Sequence, residues 1–245
     1  MTRDSGKIKG MNVTFDHAED TAAHIKTFWF KPEKPVRQIA GQFTELYLPH
    51  DHPDDRGIRR WFTLSNSPTD DMVSITTKLA IEHGSTFKQT LAGLKPGAQL
   101  KLADPMGDFV LPKDKTIPLV FVAGGIGVTP MHSMIKYLYD THEQRSIHLI
   151  YAVNDIHELA FGQLFKDYGL KLTTVVKESP AGYKGETGSL SADRILELVG
   201  GDDGRALYYL SGPEPMVETF AKDLKAKGVN KHRVIGDYFP GYPKF

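Results

Sequence analysis

Apolar positions follow two different rhythms along this chain. In the first half they come in short runs rich in Thr, Phe, Val and Ile: Ile25 to Phe30, Gly41 to Leu48, Trp61 to Ser65 and Val73 to Leu79. Turn formers separate the runs, among them Lys31-Pro32, Pro35, Pro49, Pro53, Gly57 and Pro68. Val73-Ser74-Ile75-Thr76-Thr77 alternates apolar and polar, as a half-buried strand does. One helix is predicted here, Ser85 to Leu94, with Phe87, Leu91 and Leu94 along one face and Ser85 as N-cap. Several short strands with a single helix predict a closed or nearly closed antiparallel barrel.

After Asp114-Lys115 the rhythm changes. Leu119 to Ala123 is continuously apolar, as a strand buried on both faces is. Met131, Met134, Ile135 and Leu138 then fall at helical spacing. Strands are predicted at Ile147 to Val153, Leu172 to Val176 and Ala206 to Leu210. Helices are predicted at Glu158 to Tyr168, Ser191 to Val199 and Met216 to Lys227, with a polar stretch from Lys177 to Gly188. Alternating strand and helix predict a doubly wound parallel sheet covered on both faces. The expected division is residues 1–113 and 114–245, two units of ordinary domain size.

Composition narrows the chemistry. Lys plus Arg (30) equals Asp plus Glu (30), so no overall field draws the chain to nucleic acid or an anionic membrane. No apolar run approaches the roughly 18 residues of a membrane-spanning helix. MTRDSGKIKG lacks the apolar stretch of a signal peptide, and a soluble cytoplasmic protein is expected. Cysteine is absent, which removes disulfides, thiolate-held clusters and a cysteine nucleophile from this chain. No HExxH-type spacing occurs. His50-Asp51-His52 lies in a polar stretch with Pro and Gly and reads as a solvated loop, so no metal site is expected.

Gly124-Gly125-Ile126-Gly127-Val128-Thr129-Pro130 stands between the first buried strand and the first helix of the second half. Ligands of open parallel sheets bind at the carboxyl ends of strands. Glycines there admit a pyrophosphate, and the helix start offers free N–H groups; Pro130 suits the first helical turn, where a missing N–H costs nothing. A tight turn without a ligand explains a bare GxG, but the whole string in this setting points to a dinucleotide. Ser211-Gly212-Pro213-Glu214-Pro215-Met216 opens the last long helix and is expected at the same sheet edge.

With the barrel strands before them, these loops resemble the ferredoxin–NADP reductase superfamily over essentially the whole chain. The resemblance implies an antiparallel FAD-binding β-barrel followed by an NAD(P)-binding α/β domain. The family's GG(I/V/T)GxTP loop matches residues 124 to 130. Its CGPxxM loop matches 211 to 216, except that Ser211 stands where the family often has Cys. The implied nucleotide contacts are Gly124, Gly125, Gly127, Thr129, Pro130, Asn154, Gly212, Pro213 and Met216, with Ser211 beside the nicotinamide. Arg60-Trp61-Phe62-Thr63-Leu64-Ser65-Asn66-Ser67-Pro68 resembles the flavin signature RxY(S/T)xxSxP, with Phe62 for the usual Tyr. It implies that Arg60 holds a flavin phosphate, a contact of roughly 1.5–3 kcal/mol, while Trp61 to Leu64 line the ring. Gly84, Ser85 and Thr86 resemble the segment capping the pyrophosphate, although helix capping alone also accounts for Ser85. Thr77 and Lys78 complete the implied flavin contacts. Pro105 to Phe109 resembles the GPxGxF turn that closes the barrel. Near the chain end, Phe239 resembles the aromatic residue that covers the flavin until nicotinamide displaces it, with Tyr238 and Tyr242 as rivals.

The implied reaction passes a hydride from NAD(P)H to FAD and needs no acid–base pair. The protein's task is to hold the reacting atoms about 3–3.5 Å apart. Electrons then leave to a separate acceptor, a redox protein or small molecule. Asn154-Asp155-Ile156-His157-Glu158 favours NADH, since acidic residues suit a free 2′-hydroxyl and repel a 2′-phosphate; Lys177, Lys184 and Arg205 are the residues that would oppose this. Two alternatives stay open. One is a reductase using free flavin as substrate. The other, kept by Ser211, is a non-catalytic nucleotide-binding or electron-relay subunit.

Overall fold

The computed structural model describes residues 10–79 and 84–239, with the backbone alone at Phe239. β1 (Met11–Ala22) and β2 (Ile25–Pro32) form an antiparallel pair. β3 (Phe43–Tyr47), β4 (Arg59–Thr63), β5 (Val73–Lys78), α1 (Thr86–Ala92) and β6 (Gln99–Leu102) follow. The six strands make one antiparallel sheet in the order β4-β3-β6-β1-β2-β5. It curls until its two edge strands approach, where Ser65 N–H donates to Ser74 O at 2.9 Å. The result is barrel-like, not closed. Phe15, Phe28, Phe30, Leu46 and Ile75 fill the inside with Phe87 and Leu91 of α1.

The second half runs β7 (Leu119–Gly124), α2 (Val128–Asp140), β8 (Ile147–Asp155), α3 (Gly162–Tyr168), β9 (Lys171–Glu178), β10 (Glu186–Thr187), α4 (Ala192–Val199), β11 (Leu207–Pro213), α5 (Glu214–Ala226) and β12 (Val234–Phe239). Its strands are all parallel, in the order β10-β9-β8-β7-β11-β12. Every residue of β7 is buried, as its unbroken apolar run requires. One core, with α2 and α3, reaches the barrel through Ala40 and Phe109; the other lies under α4 and α5. Among the described residues no helix is long and apolar enough to cross a membrane. Nor does any group of three His, Asp or Glu stand ready to hold a metal ion.

Four strands escape the periodicity reading, and each for a local reason. The outer half of β1 carries exposed Glu19 and Asp20, β6 has only four residues, β10 has two, and β12 contains Gly236 and Asp237. The helix expected from Glu158 begins only at Gly162. Residues Ile156–Glu158 form a 3-10 turn instead, and Phe161 sits at φ +63°, where a helix does not continue.

Candidate functional site

The chain winds to one side of β7 through β8 and β9, and to the other through β11 and β12, so β7 and β11 flank the switch point of the sheet. Ala123 and Ser211 are register partners there, which brings the glycine loop against Ser211-Gly212-Pro213. A Cβ on Gly127 would lie 2.2 Å from Ser211 O, and one on Gly124 would lie 2.5 Å from the Met216 sulfur. Gly127 is therefore demanded by backbone packed on backbone, whereas Gly124 makes room for the movable end of the Met216 side chain. Gly125 is different: its φ is +53°, and a Cβ there would meet no atom within 4 Å. It is the glycine that opens to the outside. Thr129 is buried and donates its hydroxyl to Ile126 O at 3.0 Å, which ties the turn rather than facing a ligand. Pro130 is buried in the first turn of α2.

In the other half, Arg60 and Phe62 share one face of β4 and both lie near Phe87. The guanidinium is 5.1 Å from the Phe87 ring centre, and the Phe62 ring is 5.9 Å from it. Strand alternation puts Trp61 on the opposite face, half exposed and edge-on to Phe43. Trp61 is thus separated from its two neighbours. Thr63 and Leu64 are buried, and so is Thr77. Lys78 forms an ion pair with Glu158 of the other half. Ser85 caps α1 by accepting from Lys88 N at 3.3 Å, and Gly84 O accepts from Gln89 Nε2. The Thr86 hydroxyl accepts from Asp54 N at 3.1 Å and contacts His50 Nε2.

The two halves are joined where the flavin-like strand ends. His132 Nδ1 lies 2.7 Å from Ser65 O, and since a carbonyl only accepts, Nδ1 carries the proton. Ser133 donates to Asn66 O at 2.6 Å. One turn on, Lys136 pairs with Asp70 at 3.0 Å, and Thr69 donates to Asp140. The helix that starts with the glycine loop is thereby fixed to the segment Ser65 to Asp70. The His132 ring also stacks on Phe161, 3.7 Å between centres.

Sequence reasoning gave no role to His132, Lys136 or Asp237. The first two sit on the polar-looking face of α2, which helical spacing marks as solvent-facing; no single-sequence signal told that the barrel covers it. Asp237 stood in the acidic-x-aromatic ending, which was its only signal. It is the register partner of Ser211, and burial pushes its carboxyl up to about 6. Phe239 pairs with Pro213 through its backbone, and its side chain lies outside the described residues, as does Tyr242. Tyr238 is half exposed.

Asn154, near the end of β8, is half-buried. Asp155 caps the turn after β8 by accepting from His157 N at 2.8 Å, and it stands beside exposed Glu178 on β9. Glu158 is taken up by Lys78. Arg205 precedes β11 and lies at the amino edge of the sheet, away from the loops, whereas Lys177 and Lys184 stay exposed on the carboxyl side of β9.

Among the described residues, three buried side-chain polar atoms have no hydrogen-bond partner: Gln38 Oε1, Arg60 Nε and Ser211 Oγ. An unmet buried group costs about 1–3 kcal/mol, so each calls for a partner that the described residues do not provide. Arg60 Nε suits an anion, and Ser211 Oγ suits a polar group at the end of β11. The residues present therefore fit a phosphate-bearing ligand on the barrel side and a nucleotide at the switch point.

The structure is thus a barrel-like antiparallel sheet fixed to a parallel sheet with paired loops at its switch point. Residues 121–222 match the family model of the oxidoreductase NAD-binding domain. A flavohemoprotein of Xylella fastidiosa is 28% identical over 98% of this chain and 61% of its own length, so the chain spans under two thirds of that relative. The reductase subunit of an aromatic O-demethylase from Amycolatopsis is 25% identical, covering 97% of this chain and 73% of that one. Among solved structures, an Amycolatopsis cytochrome P450 reductase superposes with a TM-score of 0.80 at 24% identity, over 97% of this chain and 73% of that one. A ferredoxin NADP+ reductase from Neisseria gonorrhoeae with bound FAD and NADP gives 0.77 at 17% identity, over 95% and 99%. Over nearly its whole length the chain thus shares the fold of these reductases, and its second half matches the NAD-binding domain family.

Proposed function

We propose that this chain is an NAD(P)H-dependent flavoprotein reductase, with residues 1–113 holding FAD and residues 114–245 holding the nucleotide. The observation that carries the reading is the join itself. His132 and Ser133, one turn into the helix opened by the glycine loop, bond the carbonyls of Ser65 and Asn66, directly after the Arg60 to Leu64 strand. A nucleotide at the first and a flavin at the second share one site. Bound FAD supplies the acceptor for a hydride and an outlet for electrons one at a time. The protein's own part is placement. Arg60 anchors the flavin phosphate, Phe62 and Thr63 border the ring, and Gly125, Gly212 and Pro213 seat the nucleotide. Ser211 Oγ bonds the nicotinamide side.

The acceptor is a separate redox protein or small molecule, in keeping with relatives that are the reductase component of propane 2-monooxygenase and the reductase subunit of an aromatic O-demethylase. NADH is the preferred donor. Asp155 and Glu178 set two carboxylates side by side at the carboxyl edge, where a 2′-phosphate would be repelled. The test is twofold. The purified protein should carry a flavin spectrum, and kcat/KM for NADH should exceed that for NADPH. Equal values, or a larger one for NADPH, would overturn the preference. A colourless protein that turns over only with added flavin would favour the free-flavin alternative.

A further inference from the structure

The residue that is to hold the flavin phosphate is already engaged by an anion of the chain itself. Arg60 Nη2 donates to Asp54 Oδ1 at 2.5 Å, and the two side chains are 12% and 22% exposed. Nη1 is shared among the carbonyls of Arg56 (3.0 Å), Gly57 (2.8 Å) and Arg59 (2.6 Å), and Nε has no partner among the described residues. Asp54 is not a drifting surface carboxylate. Its N–H donates to Thr86 Oγ1, its Oδ1 also accepts from Arg56 N at 3.0 Å, and its carbonyl accepts from Gly57 N at 2.8 Å. His50 fixes the same loop from the other side, contacting Thr86 Oγ1 and setting its ring edge-on to Phe87. The β3–β4 loop is thus folded down so that one carboxylate meets the guanidinium. Burial opposes ionisation of Asp54, but the hydrogen bonds from Arg60 and Arg56 N outweigh it and hold the carboxyl below its usual range.

A phosphate grips a guanidinium most firmly through two N–H groups at once, and a carboxylate already on Nη2 leaves the Nε–Nη2 edge only Nε to offer. We propose that Asp54 is an internal competitor for the flavin phosphate on Arg60, and that it determines how tightly this chain retains FAD. The inference rests on the flavin reading above. It gives that reading an adjustable affinity: an Arg60 freed from Asp54 holds FAD firmly, and one engaged by Asp54 lets it exchange.

The test measures FAD and riboflavin binding to the full-length apoprotein by quenching of flavin fluorescence. Asp54→Asn keeps the oxygen that caps Arg56 N and removes the charge; Asp54→Ser is the second variant, should the first fold poorly. Asp55→Asn, at an exposed neighbour on the same loop, controls for the general loss of one negative charge. Either Asp54 variant should bind FAD about tenfold more tightly than the parent. Riboflavin, which has no phosphate, should bind unchanged, and Asp55→Asn should behave as the parent does. If the parent binds FAD, Arg60→Ala weakens that binding, and neither Asp54 variant tightens it, the competitor inference is overturned while the flavin assignment stands. If Arg60→Ala leaves FAD binding unchanged, the assignment of Arg60 falls and this inference with it.

Discussion

At the residue scale, the site is defined by groups whose needs the chain leaves unmet or strains. Ser211 Oγ and Arg60 Nε are buried with no hydrogen-bond partner among the described residues, and both stood in motifs legible in the sequence. Asp237 and His132 did not stand out there, because burial against another element decides their behaviour. Their pH effects have opposite signs. Burial raises the Asp237 carboxyl to about 6, so its protonated form is favoured in the fold. Its stabilising contribution is whole below the ordinary carboxylate range and is lost as pH climbs through about 6. Asp237→Asn should therefore raise Tm at pH 7.5 and leave it nearly unchanged at about pH 4; an equal rise at both would refute the burial argument. For His132, burial depresses the ring to about 4, and burial does the same for His148. Both rings are neutral in the fold, so their contribution is whole above about 6.5 and lost as pH falls through about 4. Thermal melts from pH 7 down to 4 should show that decline, and His148→Gln should make it shallower.

At the scale of elements, the glycine loop shows why a motif and its reason are separate matters. The string told where the strand ends and the helix begins. It did not tell that Gly127 packs on backbone and Gly124 under Met216 while Gly125 faces outward, because the partners come from β11 and the start of α5, more than eighty positions along. Gly127→Ala places a methyl carbon 2.2 Å from the Ser211 carbonyl oxygen and should cost about 1–3 kcal/mol of stability. Gly125→Ala meets no atom but strains a left-handed backbone, and about 1 kcal/mol is expected. Denaturant melts of the two variants separate these; equal losses would contradict the assignment of roles. The strands β2 to β5, β7 to β9 and β11 were readable because runs of Phe, Val, Ile and Thr are bounded by turn residues. β1 and β12 were not: the polar outer half of β1 pairs with β2 alone, β12 is an edge strand, and only pairing with β2, β6 and β11 makes them strands.

At the scale of the molecule, two sheets become one site through a short polar seam. Ser65 and Asn66 offer carbonyls at the end of the flavin-like strand, and α2 answers with His132 and Ser133. Lys136 with Asp70 and Lys78 with Glu158 extend the join on either side. Single hydrogen bonds of this kind contribute about 0.5–1.5 kcal/mol each, so Ser133→Ala should lower stability modestly. Its larger effect should fall on the rate of flavin reduction, since a displacement of about 1 Å between reacting groups can cost a hundredfold. The central claim is that nucleotide and flavin meet across this seam. It is tested most directly by mixing the flavin-loaded protein with NADH anaerobically in stopped flow and following flavin absorbance. Rapid bleaching of the bound flavin, slowed by Ser133→Ala, is the predicted result; a bound flavin that stays oxidised in excess NADH and NADPH would contradict the account.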